Sequence, residues 1–280
     1  MSIDYIRNLL ELHYNEALDG LVDKAPSRLL RGEGTEKDFY ILKIDLVGST
    51  QILYKRHKST YLKIAHTFLS SIDKITQDFG ADPNQTEYAG DSVLAYFPES
   101  STTAEQLLQA ASYSRAAVLE IQRLDETLKS LQLKCKVVLH FDTLIMSKIG
   151  PRASSFITAI GLPLHKVAKL EKEISADIGR ATEKFFQKVS AKNKKYLTPV
   201  YDEKQVEIPA HQPSFNSLIS RGLLNAQPVI PHNTLLSRTL FGDLPPSQIV
   251  QTPQYRIDRT LIGYNLRWPL LFRDLNLTKY

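Results

Sequence analysis

Two stretches carry most of the information in this chain: Tyr40-Ile-Leu-Lys-Ile-Asp45-Leu-Val-Gly48-Ser-Thr50 and Glu87-Tyr-Ala-Gly90-Asp91-Ser-Val-Leu-Ala-Tyr-Phe97. The first reads as an apolar strand that delivers Asp45 into a tight Gly-containing turn opening a helix. The second reads as strand, Gly-Asp turn and strand, a hairpin with Asp91 at its tip. Alone, either acid is ordinary: Asp45 as a helix N-cap, Asp91 as a turn residue. Together, on neighbouring strand ends, they are what a pair of divalent cations needs to grip a nucleoside triphosphate. The carbonyl of Leu46 is placed to add a hard oxygen ligand, and the peptide N–H groups of Gly48, Ser49 and Thr50 at the helix start suit phosphate.

Outward from these stretches, the pattern predicts strands and helices in alternation. An amphipathic helix over 2–22, with Ile3, Ile6, Leu10, Ala17 and Leu21 on one face, reads as a cover for the chain's own core, with docking on a partner as its alternative. A polar linker spans 24–37, followed by a strand over 39–45. A long helix from about Thr50 to Phe79 presents Tyr61, Ile64, Ala65, Phe68, Ile72, Ile75 and Phe79 on one face. The hairpin covers 85–97. A helix with a Thr102-Thr-Ala-Glu105 capping box runs to about Leu131. A strand at 134–141, an extended piece at 143–147, a short strand at 156–160 and a helix at 162–175 complete the series. This order predicts an α+β, ferredoxin-like sandwich with helices on a mainly antiparallel sheet.

Composition bounds the function. The chain has 280 residues, 42% hydrophobic and 23% charged, with a net charge of +5, which suits a globular domain plus an extension. No dense Lys/Arg run carries interleaved aromatics, so the surplus points to a small anionic substrate rather than nucleic acid. Lys55-Arg-His-Lys58 reads as a solvated helix face, with triphosphate steering as its alternative. The one cysteine, Cys135, lies within an apolar strand and reads as a packed core residue, in keeping with a reducing, cytoplasmic setting. The N-terminus has no signal-peptide pattern, and no apolar run is long enough to span a bilayer. Seven of the 14 prolines fall between Pro209 and Pro253, before a predicted strand pair at Tyr255–Asp258 and Thr260–Trp268. The expected organisation is an N-terminal helix and linker (1–35), a catalytic domain (36–200) and a C-terminal extension (201–280).

Segments 40–50 and 85–97 resemble the two metal-binding segments of class III nucleotide cyclases. Lys136-Val-Val-Leu-His140 is similar to their central core strand. Thr158-Ala-Ile-Gly161-Leu-Pro-Leu-His165-Lys-Val-Ala168-Lys169-Leu-Glu171 is similar to their strand-to-helix segment. The four occur in the family's order over about 39–175.

The resemblance implies a class III cyclase sandwich and a head-to-tail homodimer with two shared sites. One protomer supplies Asp45, Asp91 and the Leu46 carbonyl to two Mg²⁺ or Mn²⁺ ions. The other supplies base-reading and transition-state residues. The usual Asn and Arg of the final helix fall here on His165 and Lys169; Lys169 keeps the charge but loses the bidentate fork. Adenylate-specific members carry Lys at the position of Glu87, whose companion is Thr158. A carboxylate only accepts, so Glu87 opposes adenine N1 and suits the N–H groups of guanine or uracil. The degenerate final helix and the extension resemble the bacterial antiphage pyrimidine cyclases of Pycsar systems. That resemblance implies UTP as substrate, cyclic UMP as product and a separate cyclic-nucleotide-activated effector. Guanylate cyclase and a degenerate nucleotide-binding regulator are the alternatives.

Overall fold

The strand that carries Asp45 is the centre of the sheet. In the computed structural model, which describes residues 3–16, 20–124, 128, 131–208 and 254–277, β1 runs over Gly34–Val47. It pairs antiparallel with β3 (Ser92–Pro98) on one side and β4 (Lys134–Ile149) on the other. Packing covers both faces of this central strand, which explains the unbroken apolar run from Phe39 to Leu42. Ile41, Leu42 and Ile44 are fully buried. Burying each such side chain contributes about 1.5–3 kcal/mol.

The remaining elements, in chain order, are α1 (Ile3–Glu16), α2 (Ser49–Lys55), α3 (Lys58–Asp78), β2 (Glu87–Ala89), α4 (Ala104–Ile121), β5 (Phe156–Ile160), α5 (Leu162–Glu173), β6 (Gly179–Ala181), α6 (Glu183–Lys188), β7 (Leu197–Ile208), β8 (Gln254–Leu266) and α7 (Trp268–Asp274). Sheet order is β2-β3-β1-β4-β6-β8-β7, with β5 paired to the far half of β4. The β4–β6 pair is parallel; the β1–β3, β1–β4, β2–β3, β4–β5 and β6–β8 pairs are antiparallel. This is the α+β sandwich expected from the sequence.

One face of the sheet is sealed by α5. Phe39, Ile41, Tyr96, Val138, Leu144 and Met146 pack there against Val167, Leu170 and Ile174. Helices α3 and α4 pack on each other and on β1, β3 and β4. Ile64, Phe68 and Ile72, three of the residues predicted to share a face, are the buried stripe of α3.

Several expectations are corrected. The predicted helix over 50–79 is two helices, because His57 is extended and its ring accepts the Ser59 amide, starting α3 afresh. The capping box sits one residue later than expected: Gln106 N–H donates to Thr103 Oγ1 and Thr103 N–H to Gln106 Oε1, at 3.3 and 2.9 Å. The same helix stops at Ile121, not near Leu131. Strand 39–45 extends over Gly34–Val47, and 134–141 and 143–147 are one continuous strand because the longer β1 pairs along all of it. The leading helix covers no core: Ile3–Asn15 are all exposed, and Leu21 lies beyond the helix as an extended residue bridged to Gly34.

The chain divides into two compact units, Met1–Val200 with Ile262–Tyr280, and Tyr201–Leu261. The predicted strand pair near 255–268 is a single strand, β8, whose Tyr264 and Asn265 pair with Ala181 and Arg180 of β6. Helix α7 then buries Trp268, Leu271 and Phe272. The Trp268 indole donates to the carbonyl of Asp177 at 3.0 Å, and the Arg115 guanidinium lies 5.3 Å from the Trp268 ring centre. The prolines between Pro209 and Pro253 lie outside the described residues.

Candidate functional site

At the C-terminal end of β1 the pairing brings the two acids side by side. Asp45 is opposite Ser92, the residue that follows Asp91, and Leu46 N–H donates to the Asp91 carbonyl at 3.1 Å. The Gly90-Asp91 turn joins two short antiparallel strands, with Gly90 at φ +64°. Gly48, at φ +81°, turns β1 into α2, putting buried Ser49 and exposed Thr50 in the first turn. A side chain at Gly48 has open space but meets an unfavourable backbone angle, so the glycine is needed for the turn itself.

Burial, then the charges of Asp91 and Glu171, push Asp45 up to about 6, with Lys43 and Lys136 acting in the opposite direction. A cation between Asp45 and Asp91 relieves that repulsion, which is how paired carboxylates favour hard divalent ions. Among the described residues no three His, Cys, Asp or Glu side chains are grouped to hold a metal. The acid pair therefore suits ions that take their remaining oxygens from backbone, water and a triphosphate.

Below Asp45 lies a group that sequence reading missed. Lys43 Nζ and Lys136 Nζ reach the two carboxylate oxygens of Glu171 at 3.4 and 3.5 Å, and Lys136 also donates to the Glu171 carbonyl at 3.1 Å. This ties α5 to β1 and β4 next to the candidate metal ligand. The available signal was Lys43, a charge inside an apolar strand and on the same face as Asp45.

The two positions expected to read the base meet each other. Thr158 Oγ1 donates to Glu87 Oε1 at 2.7 Å, and Ala159 N–H donates to the same oxygen at 3.3 Å. Residues 71 apart in sequence thus form one unit, Glu87 on β2 and Thr158 on β5. His165 and Lys169 are exposed on α5, and Lys169 lies 3.9 Å from Glu173 one turn on. No contact described within the chain joins either of them to Asp45 or Asp91.

Two other titratable groups have structural settings. Burial pushes the Cys135 thiol up to about 12, in keeping with a packed core cysteine. Buried His140 is pushed down to about 4 by desolvation, against the pull of nearby Asp142, and its Nδ1 lies 2.7 Å from Thr182 Oγ1.

No protein-family model and no curated protein matches the chain. Solved structures do. The guanylyl cyclase Cya2 aligns with a TM-score of 0.51 at 14% identity, over 65% of this chain and 88% of that one. The adenylyl cyclase CyaB from P. aeruginosa aligns at 0.50 and 16% identity, over 65% and 91%. A class III adenylyl cyclase-like ATP-binding protein from Pseudomonas aeruginosa aligns at 0.51 and 17%, over 62% and 39%. The chain has the class III nucleotide cyclase fold. Among the described residues, no helix is long and apolar enough to cross a membrane.

Proposed function

We propose that this protein is a nucleotide cyclase that converts UTP to 3′,5′-cyclic UMP and pyrophosphate. The observation that carries the reading is the abutment of Asp45 and Asp91 through the Leu46 amide, with the Glu87–Thr158 pair built elsewhere on the same sheet. The fold shared with a guanylyl and an adenylyl cyclase supports it.

Asp45, Asp91 and the Leu46 carbonyl would hold two Mg²⁺ or Mn²⁺ ions. When bound, these supply charge neutralisation of the triphosphate and a lowered pKa of the ribose 3′-hydroxyl. The Gly48-Ser49-Thr50 turn lies against the phosphates. The 3′-oxygen attacks the α-phosphorus in line, the bond to the bridging oxygen breaks, pyrophosphate leaves and the hydroxyl proton passes to solvent. In a head-to-tail homodimer the partner's α5 brings a histidine to hydrogen-bond the ribose and a lysine to offset charge developing on phosphorus. Positioning and charge supply the acceleration.

Base choice rests on Glu87. An ionised carboxylate accepts, so it pairs with uracil N3–H and repels adenine N1. The protein acts in the cytoplasm, and its product is read by a separate cyclic-nucleotide-activated effector in antiphage defence. Guanine is the second reading, and one observation favours it. The Thr158 hydroxyl proton is spent on Glu87, so the pair presents two acceptors, which match the adjacent N1–H and N2–H₂ of guanine. A degenerate nucleotide-binding regulator is the remaining reading, supported by His165 and Lys169 in place of Asn and Arg and by the likeness to a cyclase-like ATP-binding protein. Incubation of the purified chain with Mn²⁺ and each nucleoside triphosphate, read for pyrophosphate and cyclic product, separates the three.

A further inference from the structure

The Glu87 carboxylate sits over a buried phenol that nothing yet described uses. Tyr96 is fully buried, and its hydroxyl makes no hydrogen bond of good geometry, although the Glu87 carboxylate lies close enough to interact with it. It lies on β3 two residues beyond Leu94, the register partner of Glu87, and therefore on the same face of the sheet. Its ring meets Phe39 edge-on with centres 6.4 Å apart, and it shares a core cluster with Ala159, whose amide already donates to Glu87. Burial, followed by the adjacent Glu87 charge, pushes the Tyr96 phenol well up from its usual range. The oxygens of Gln85 and Thr86, on the approach to β2, are also buried without partners.

A poorly satisfied hydroxyl is costly in a core, and the oxygen of Tyr96, whose ring packs in one cluster with Phe39, Ile41 and Val138, serves no packing purpose, since phenylalanine fills the same space. A polar neighbour is the Glu87 carboxylate, which has an oxygen to spare. Glu87 Oε1 is taken by Thr158 and Ala159, which leaves Oε2.

We propose that Tyr96 is a positioning residue for base selection, its phenol O–H donating to Glu87 as nucleotide docks and thereby fixing the carboxylate as an acceptor aimed at the base edge. This rests on the reading of Glu87 given above and extends it to a second layer. Three donors on one carboxylate leave it no freedom to rotate away from an N–H or to accommodate a ring acceptor. Discrimination between bases then depends on a residue that never touches the nucleotide.

The test is Tyr96→Phe, which keeps the ring and its packing and removes one oxygen. Equilibrium binding of UTP, GTP, ATP and CTP in the presence of Ca²⁺ is measured for wild type, Tyr96→Phe, Glu87→Ala and the double variant, alongside thermal unfolding and steady-state kinetics with Mn²⁺. The expected result is that Tyr96→Phe narrows the preference for the favoured nucleotide over ATP about tenfold, the worth of one hydrogen bond. KM should rise with kcat within about twofold, while the unfolding midpoint is unchanged or raised, since a poorly satisfied buried hydroxyl has been removed. In the Glu87→Ala background the same substitution should have no further effect on preference. An unchanged preference in Tyr96→Phe, or a change that persists without Glu87, overturns the inference. If Glu87→Ala reorders the nucleotides and Tyr96→Phe does not, only this inference fails. If wild type binds no nucleotide, the proposed function fails and this fails with it.

Discussion

The amide of Leu46 donates to the carbonyl of Asp91 at 3.1 Å, so a backbone hydrogen bond locks the end of β1 to the tip of the β2–β3 hairpin. The spacing of the two carboxylates follows from main-chain pairing and not from side-chain packing. Replacing either acid should therefore leave the fold intact. Asp45→Ala and Asp91→Ala are each expected to lower cyclic nucleotide formation by at least about a hundredfold, in line with loss of a stabilising charge at the reaction centre. Pyrophosphate release under Mn²⁺, with circular dichroism as the fold control, checks this. Turnover at the wild-type rate in either variant rules out the two-metal reading.

The acids were legible because β1 and the hairpin are local: alternation, a glycine and an acid within a dozen residues define them. The Lys43–Glu171–Lys136 group was not, since Glu171 is 128 residues from Lys43 and 35 from Lys136 and the contact depends on how α5 lies across the sheet. The strand residues of β8 were read, as two strands over 255–258 and 260–268; its continuity and its pairing were not, for a similar reason. Its partner β6 has only three residues, too few to show a period. The break before α3 was hidden because histidine is an unusual cap, and the apolar stripe begins only at Tyr61, beyond the break, so it says nothing of where its helix starts. For α1 the amphipathic pattern was read correctly as a helix but wrongly as a core cover, since periodicity says that a face is apolar and not what covers it.

The C-terminal helix should be integral to stability. A Cβ on Gly179 would lie 2.3 Å from Cζ2 of Trp268, so Gly179→Ala must displace the indole or the strand. Chemical denaturation should show a loss of about 1–3 kcal/mol for Gly179→Ala, as for other overpacked sites. Trp268→Ala should lose about 3–5 kcal/mol, through its cavity and the lost hydrogen bond to Asp177. Wild-type stability in both would show that α7 is dispensable.

His140 sets an acid limit. It is held near 4 when folded and titrates near its ordinary 6.5 when unfolded, so the unfolded chain binds more protons between those values. Stability from this group is fully present above about 6.5 and is lost as pH falls toward 4, by up to about 3 kcal/mol. Asp45, raised to about 6, acts oppositely in the same window, favouring the folded chain as pH falls. The contribution of His140 is therefore read as a difference. Between about pH 4 and 6.5 the slope of unfolding free energy against pH should be lower (less positive or more negative) in His140→Gln than in wild type, by up to about one proton's worth; identical slopes contradict the assignment.

A shared site predicts complementation. Asp45→Ala and Lys169→Ala chains, each inactive alone, should recover part of the wild-type rate when mixed, because one of the two sites in a mixed dimer is complete. Absence of recovery, with subunit exchange demonstrated by differently tagged chains, argues against sites built from two protomers.

The most direct measurement is a competition. The wild-type chain is incubated with equal UTP, GTP, CTP and ATP plus Mn²⁺, and the cyclic products are identified by mass spectrometry. Glu87 presents an acceptor to the base, so cyclic UMP should dominate, cyclic GMP, which the joined Glu87–Thr158 pair also suits, should be the only serious competitor, and cyclic AMP should be minor by orders of magnitude. Mainly cyclic AMP, or no cyclic product from any of the four, would contradict the account.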